Sequence, residues 1–293
     1  MRFNDCIRGS VVLSDGAWGT ELQKHELQPG TCADEWNLTK PEIVRKVAES
    51  YVEAGSRIIL TNTFRANPIS LAQHGLDGQC EAINRAGVRI SRSAAGHTAL
   101  VFASIGPSGK MLLTNQVTSA VLQEAFSLQA RALADGGVDA LLIETMTDLE
   151  EARIAAAAAL ETNLPVIVSL VFDSGKHRDR TLMGNTPEQA AVALASEGVH
   201  AIGANCGVGV RESVSVCKRL AAACSLPLWM KPNAGLPEMV DGKARYKTTP
   251  AEFAEAAKEL VEAGATFVGG CCGTSPAFIR VLAQDPVFRG AYC

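Results

Sequence analysis

The run Ala265-Thr266-Phe267-Val268-Gly269-Gly270-Cys271-Cys272-Gly273-Thr274 joins an apolar strand to a glycine-rich turn. A helical pattern from Pro250 to Glu262 precedes it, and Gly264 separates the two. A helix that ends at glycine just before a short apolar run indicates a buried parallel strand with its covering helix. The same order of helix, glycine and strand recurs along the chain.

Eight apolar runs are typical of buried strands, and they lie at 11–15, 56–62, 100–105, 140–144, 166–170, 201–205, 228–232 and 265–269. Helical patterns lie between them, at 41–54, 118–135, 148–161, 187–197, 212–223 and 250–262. Eight alternating units in 293 residues match a (β/α)8 TIM barrel in both count and size. We therefore predict an α/β fold with one barrel domain over residues 1–293.

A doubly wound open sheet is the alternative architecture for alternating strands and helices. Its dinucleotide-binding loop requires a glycine spacing that Asp15-Gly16-Ala17-Trp18-Gly19-Thr20, after the first strand, does not have. No linker or change of composition divides the chain. The barrel is therefore the preferred prediction.

The composition excludes several classes of partner. The chain has 27 basic and 31 acidic residues, a net charge of -4, and no cluster of Lys and Arg that would follow a phosphate backbone, so we expect no nucleic-acid partner. No apolar run approaches the roughly 20 residues of a membrane span, and the N-terminus lacks the apolar core of a signal peptide. We expect a soluble cytoplasmic protein without a membrane partner, whose nine cysteines are reduced.

Three of the cysteines stand where strands end. Cys206 closes the apolar run 201–205, and Cys271 and Cys272 follow the last run. Neighbouring side chains on a strand face opposite sides, so the adjacent pair can converge on one ion only beyond the strand end, where glycines let the chain turn. In a barrel these ends share one face, and three thiolates there suggest zinc. Two buried thiols or a redox pair remain alternative interpretations of the Cys-Cys sequence.

Three ligands would leave one zinc position open, whereas a structural zinc normally has four protein ligands. A substrate thiol in that position would be bound as a thiolate, which is nucleophilic at neutral pH. Asp15 and Glu144, at other strand ends, could recognise an ammonium group, and the amides of Gly16 and Ala17 could hold a carboxylate. These groups together describe an amino acid with a thiol side chain, and a reaction that transfers an alkyl group onto sulfur.

Six motifs extend from the first strand to the last: Asp15-Gly16-Ala17-Trp18-Gly19-Thr20-Glu21-Leu22, Thr61-Asn62-Thr63-Phe64, Glu144-Thr145, Asn205-Cys206-Gly207, Pro232-Asn233-Ala234-Gly235 and Gly269-Gly270-Cys271-Cys272-Gly273-Thr274. The chain resembles the homocysteine S-methyltransferase family, and most of all the homocysteine-binding barrel of cobalamin-dependent methionine synthase. The resemblance implies a Zn2+-dependent enzyme that activates homocysteine as a thiolate and methylates it to methionine. It also implies that Cys206, Cys271 and Cys272 hold the zinc and are the catalytic residues.

The resemblance assigns roles to several other residues of these motifs. Asp15 and Glu144 would contact the homocysteine ammonium group, and Asn233 would cap the zinc before substrate arrives. The complete predicted substrate-binding set is Asp15, Gly16, Ala17, Thr63, Glu144, Asn205 and Asn233.

The resemblance leaves the methyl donor open, because these 293 residues do not include the folate and cobalamin domains of full-length methionine synthase. The candidates are a separate corrinoid protein, a betaine or a methylsulfonium compound. Trp18 and Arg65 depart from the residues common in the family and would lie near the donor. A small cation needs an aromatic cage, and only Trp18, Trp36 and Phe64 are near the first two strand ends, which favours a protein-borne donor.

Two other functions are compatible with the cysteines. A non-catalytic zinc or thiol sensor could have the same barrel and the same metal ligands. A dithiol redox protein is disfavoured, because a ring closed by adjacent cysteines is strained.

Overall fold

Eight parallel strands form the centre of the computed structural model, which describes residues 3, 11–240 and 243–288. The strands, with a separate hairpin of β8 and β9, are β1 (Val12–Leu13), β2 (Ile58–Leu60), β3 (Leu100–Ile105), β4 (Ala140–Met146), β5 (Val166–Leu170), β6 (Ala201–Cys206), β7 (Leu228–Pro232), β8 (Glu238–Val240), β9 (Lys243–Arg245) and β10 (Ala265–Val268). Their order around the sheet is β1-β10-β7-β6-β5-β4-β3-β2. Cys6 and Cys293, for which the sequence suggests no partner, lie outside the described residues.

The two ends of this sheet meet at β1 and β2. Ser14 forms a parallel bridge with Ile58, and the Arg57 N–H donates to the Leu13 carbonyl at 2.8 Å. β1 is shorter than the predicted 11–15, and beyond it the Leu60 N–H of β2 donates to the side chain of Asp15. The strands thus form a nearly closed (β/α)8 TIM barrel, and the predicted fold is confirmed.

The helices lie between the strands. They are α1 (Trp18–Lys24), α2 (Trp36–Thr39), α3 (Pro41–Ala54), α4 (Pro68–Ala72), α5 (Cys80–Ala95), α6 (Ser119–Asp135), α7 (Leu149–Leu160), α8 (Pro187–Ser196), α9 (Val210–Ala223), α10 (Pro250–Glu262) and α11 (Pro276–Gln284). All six predicted helical patterns are present, with ends within two residues of the prediction. In the described part of the chain, no helix is both long and apolar enough to cross a bilayer.

Local sequence explains where the helices begin and end. Thr186 and Thr249 each form a capping box at the start of a helix, which satisfies two of its free N–H groups, and the proline of the first turn has no N–H to satisfy. Gly55 and Gly264 have left-handed φ values of 109° and 101°, which cost glycine little, and each leads directly towards the next strand.

The alternation of side chains along the strands divides the core into two parts. One cluster packs between the strands and the surrounding helices, and the other fills the barrel interior. Within the interior, the rings of Phe102, Trp229 and Phe267 form what we term the aromatic layer, with centroids 5.8 Å apart for Phe102–Trp229 and 5.4 Å for Trp229–Phe267. This layer forms an apolar floor beneath the C-terminal ends of the strands.

Candidate functional site

Polar side chains follow the apolar interior at the C-terminal ends of five strands. Each lies on the interior face of its strand, because residues two apart share a face. We term this set the polar layer, and it consists of Ser104, Glu144, Ser169, Asn205 and Lys231, all buried. The barrel mouth is therefore built from charged and hydrogen-bonding groups directly above the aromatic layer.

A cavity of about 560 Å³ lies over the polar layer. One side of its wall contains Cys206, Cys271 and Cys272, with Glu144 and Lys231 beside them. The wall also contains residues that follow β1 and β2, among them Trp18, Phe64 and Arg65. The cavity thus connects the three cysteines with the predicted donor side.

The three cysteine sulfur atoms all lie within 4.8 Å of one another, as the sequence predicted. β7 brings them together, because its Pro232 pairs with Cys206 of β6 and its carbonyl accepts from the Cys271 N–H at 2.8 Å. Cys206 has a left-handed φ of 57°, which is uncommon for a residue other than glycine and often marks a functional position. The Cys206 and Cys271 sulfurs are 2.8 Å apart.

The cluster fits a tetrahedral zinc ion. With Zn–S bonds near 2.3 Å, two ligand sulfurs are about 3.8 Å apart, so the Cys206–Cys271 contact would lengthen by about 1 Å. Asn233 is held against the backbone that follows β6, since its Nδ2 donates to the Gly207 carbonyl at 2.8 Å and its backbone N–H donates to the Cys206 carbonyl. Its Oδ1 is buried and has no hydrogen-bond partner among the described residues, which leaves an oxygen available as a ligand.

Hydrogen bonds within the cluster shift the pKa values of the three thiols in different directions. Donation from Cys206 and Cys271 lowers the pKa of Cys272 to about 3. The contact with Cys271 raises the pKa of Cys206 well above its ordinary value. These hydrogen bonds favour the thiolate, the form that binds metals, at Cys272.

Asn205 supports the cysteines. Its Oδ1 accepts from the Thr145 N–H at 2.8 Å and from Ser169 Oγ at 2.7 Å, and its Nδ2 donates to Thr145 Oγ1 at 2.7 Å. The same Nδ2 approaches the sulfurs of Cys206 and Cys271 at 3.6 and 4.0 Å. The structure thus places Asn205 against the thiol cluster and behind the cavity wall.

Asp15 lies beneath the cavity and is fully buried. Its Oδ1 accepts from Lys231 Nζ at 2.5 Å, and its Oδ2 accepts from the Leu60 N–H and from Trp18 Nε1, both at 2.7 Å. Protein donors therefore occupy both oxygens of the carboxylate that the sequence assigns to the substrate ammonium group.

Glu144 does line the cavity. Its Oε1 accepts from Ser104 Oγ at 2.5 Å. Burial raises its pKa to about 7, against the opposing effect of Lys231. At neutral pH, Glu144 is therefore close to the midpoint between acid and carboxylate.

Gly16 and Ala17 also line the cavity, in a turn with fixed geometry. The Ala17 N–H donates to Thr274 Oγ1 at 3.2 Å, and Tyr51 Oη donates to the Ala17 carbonyl at 2.6 Å. A Cβ at position 16 would lie 2.8 Å from Tyr51 Oη and 2.9 Å from Thr274 Oγ1, so only glycine fits there. One of the two amides predicted to hold a carboxylate is therefore bonded within the protein.

Thr63 is fully buried outside the cavity wall. Its Oγ1 lies 2.6 Å from Thr61 Oγ1 and donates to the Ser104 carbonyl at 2.8 Å. The structure therefore places it in the packing beneath the mouth.

On the donor side, Trp18 and Phe64 line the cavity, whereas Trp36 is buried away from it with Lys40 Nζ 4.1 Å above its ring. Arg65 is exposed and donates to Gln73 Oε1 at 3.3 Å. Two aromatic rings and a guanidinium group therefore form this side of the cavity.

Two residues near the cysteines had no role in the sequence prediction. Lys231 was included in a predicted strand, and a charged residue within such a buried apolar run was the available signal. Tyr246 follows β9 and packs on Gly273, where a Cβ would lie only 2.2 Å from its ring. No pattern in the sequence distinguishes Tyr246.

A family profile and the sequences of known proteins point to the same family. The sequence profile described as homocysteine S-methyltransferase matches residues 12–285. The chain is 31% identical over 298 residues to methionine synthase of Mycobacterium tuberculosis, covering 95% of this chain and 25% of that protein. It is 32% identical to methionine synthase of Mycobacterium leprae, covering 93% and 24%. The chain thus spans about a quarter of the length of these curated relatives.

Solved structures of similar length also match. The metallated form of the homocysteine methyltransferase MmuM from Escherichia coli superposes with a TM-score of 0.78 at 26% identity, covering 94% of this chain and 96% of that one. The oxidized form of the same protein gives a TM-score of 0.77.

Proposed function

The chain belongs to the homocysteine S-methyltransferase family, and on that premise we propose that it is a zinc-dependent enzyme that methylates homocysteine to methionine. The observation that carries the proposal is the cluster of three cysteine sulfurs on the wall of the barrel-mouth cavity. A similar solved structure is the metallated form of a homocysteine methyltransferase, which supports it. We extend the proposal to residues 1–293 as one homocysteine-binding barrel domain of a cytoplasmic enzyme, where thiols stay reduced.

Cys206, Cys271 and Cys272 would hold the zinc, and Asn233 Oδ1 would complete its coordination before substrate binds. Bound zinc would lower the pKa of a substrate thiol from near 8.5, so that the sulfur is a nucleophilic thiolate at neutral pH. Asn205 would orient the ligand sulfurs through its side-chain amide, as groups behind metal ligands commonly do.

The remaining polar groups would position the amino acid. Glu144, on the cavity wall, would accept the substrate ammonium group, and Asp15 would act from behind the wall through Lys231. Gly16 would offer the backbone amide of its turn. The substrate sulfur would then face the open side of the cavity, where an in-line attack on a methyl group is possible.

The donor would approach past Trp18, Phe64 and Arg65. Two rings are a poor cage for a small cation, and the charge of Arg65 repels one. A methylcobalamin carried by a separate protein is therefore the donor that we propose to test first, before a betaine or a methylsulfonium compound.

The test combines metal analysis with a donor panel. Purified protein should contain about one zinc per chain and form methionine from homocysteine with one of methylcobalamin, supplied free or on a corrinoid protein, methyl-folate, betaine or S-methylmethionine. Stoichiometric zinc without turnover on any donor would favour the sensor and contradict the methyltransferase. A metal-free protein would contradict both.

A further inference from the structure

Lys231 is a buried cation on the same wall as the cysteines. Lys231 is only 2% exposed to solvent, yet it lines the cavity together with Glu144. It pairs in register with Asn205 of β6, and the next residue, Pro232, contacts the backbones of both Cys206 and Cys271. An ammonium group and a carboxyl group thus line the same cavity as the thiol cluster.

The Lys231 ammonium group is held in place but is not saturated. One of its three N–H groups donates to Asp15 Oδ1, its sole hydrogen-bond acceptor among the residues that the structure describes. The Trp229 ring lies below, with its centroid 5.8 Å from Nζ. The Asp15 carboxylate forms an ion pair with this ammonium group and offsets the cost of burying its charge. Two N–H groups are available for a ligand in the cavity.

The rest of the site explains why such a cation is needed. An amino acid bound through its sulfur brings its carboxylate close to the thiolates and Glu144, which repel it. The Ala17 amide is already bonded to Thr274, and Arg65 is an exposed residue of the cavity wall. Among the described cavity residues, Lys231 is the buried cation that can offset this repulsion.

Building on the proposed homocysteine activity, we propose that Lys231 binds the substrate α-carboxylate. The carboxyl carbon of homocysteine is four bonds from its sulfur, so both groups can reach the same wall. Asp15 orients the Lys231 ammonium group, and Glu144 accepts the substrate ammonium group beside it. The pair of opposite charges selects thiols that are also α-amino acids.

The test measures binding to the zinc-loaded protein by calorimetry, without a methyl donor. The probes are L-homocysteine, 4-mercaptobutyrate, which lacks the ammonium group, and 3-aminopropane-1-thiol, which lacks the carboxylate. In Lys231→Met the first two should bind about 10- to 100-fold more weakly, because a charge-assisted hydrogen bond is lost. The affinity for 3-aminopropane-1-thiol should change by less than about threefold.

Two further variants make this test decisive. Lys40→Met is the matched control, because Lys40 also lies over a tryptophan ring but outside the cavity wall, and it should leave all three affinities unchanged. If Lys231→Met does not fold because Asp15 is left unpaired, Asp15→Asn with Lys231→Met removes both charges together. In that double variant as well, the ratio of the affinity for homocysteine to the affinity for 3-aminopropane-1-thiol should fall.

The outcomes separate the two proposals. Equal weakening of all three thiols would assign Lys231 only to the support of Asp15 and would overturn the carboxylate role. An unchanged ratio of the homocysteine affinity to the 3-aminopropane-1-thiol affinity in the double variant would also overturn the carboxylate role. Wild-type protein that binds zinc but not homocysteine would contradict the proposed function itself.

Discussion

The aromatic layer and the polar layer of the barrel interior lie two residues apart on the same strands. Phe102 is followed by Ser104 on β3, and Trp229 by Lys231 on β7. All four are buried, yet the first of each pair packs against rings whereas the second contacts charged or polar groups. Burial alone therefore does not separate structural from functional positions here. The comparison predicts that changes in the aromatic layer reduce stability, and that changes at the mouth reduce binding and catalysis.

The largest effect should come from the metal ligands at the mouth. Cys272→Ser removes one of three sulfurs and should abolish stoichiometric zinc. The rate of methyl transfer should fall by more than the roughly 100-fold that loss of an outer-shell partner costs. Zinc content and initial rates measure this, and Cys224→Ser, at the end of α9, is the control that should retain both. A variant Cys272→Ser with full zinc content would show that the cluster is not the metal site.

The strongest contrast comes from the aromatic layer. Phe102→Ala leaves a cavity beneath the mouth and should lower the free energy of unfolding by about 3–5 kcal/mol. Urea denaturation measures the change, and the folded fraction should still bind zinc. A loss of zinc binding without a loss of stability would contradict the division between the layers.

Glu144→Gln should have a smaller effect, which is limited to substrate binding. The neutral amide should bind homocysteine about 10- to 100-fold more weakly, because a charge-assisted contact with the ammonium group is lost. Calorimetry with 4-mercaptobutyrate, which has no ammonium group, should show no such loss. An equal loss of affinity for homocysteine and for 4-mercaptobutyrate would contradict the contact of Glu144 with the substrate ammonium group.

The same residue gives a pH dependence with a defined sign. Burial raises the pKa of Glu144 to about 7, so its carboxylate, and with it ammonium binding, increases as the pH rises through 7. Both ligands bind through a thiol, so the ratio of the homocysteine affinity to the 4-mercaptobutyrate affinity cancels the effect of thiol ionisation. This ratio should rise across this pH range in the wild-type protein and should not change with pH in Glu144→Gln. Because the folded pKa is raised, the stability from Glu144 is fully present below its ordinary pKa and is lost above 7.

The smallest effect should come from Ser104→Ala. Its hydroxyl donates to Glu144 and lowers the pKa of that group, so the variant should shift the midpoint of the affinity ratio to higher pH. The free energy of unfolding should change by only about 1 kcal/mol. Ser169→Ala is the control, because Ser169 contacts Asn205 and should leave the midpoint unchanged.

The fold could be predicted because buried parallel strands are continuous apolar runs. The predicted bounds of β3, β5 and β7 agree with the structure, and the cysteine cluster followed from the common face of the strand ends. These features depend on local sequence and on barrel topology alone.

The partners of Asp15 could not be predicted in the same way. Its carboxylate accepts from Leu60 and Lys231, which are 45 and 216 residues away in sequence. Motif positions indicate that a carboxylate is near the mouth, but not which donors it contacts. Whether it faces the cavity or Lys231 depends on the closure of the barrel between β1 and β2 and on the position of Lys231 on β7.

The central claim is that the three cysteines at the mouth hold a zinc ion with one position for the substrate sulfur. X-ray absorption at the zinc edge tests it most directly, because it counts sulfur ligands. The account predicts three sulfurs and one lighter ligand in the zinc-loaded protein, and four sulfurs after homocysteine is added. A sulfur count that does not change when homocysteine binds would contradict it.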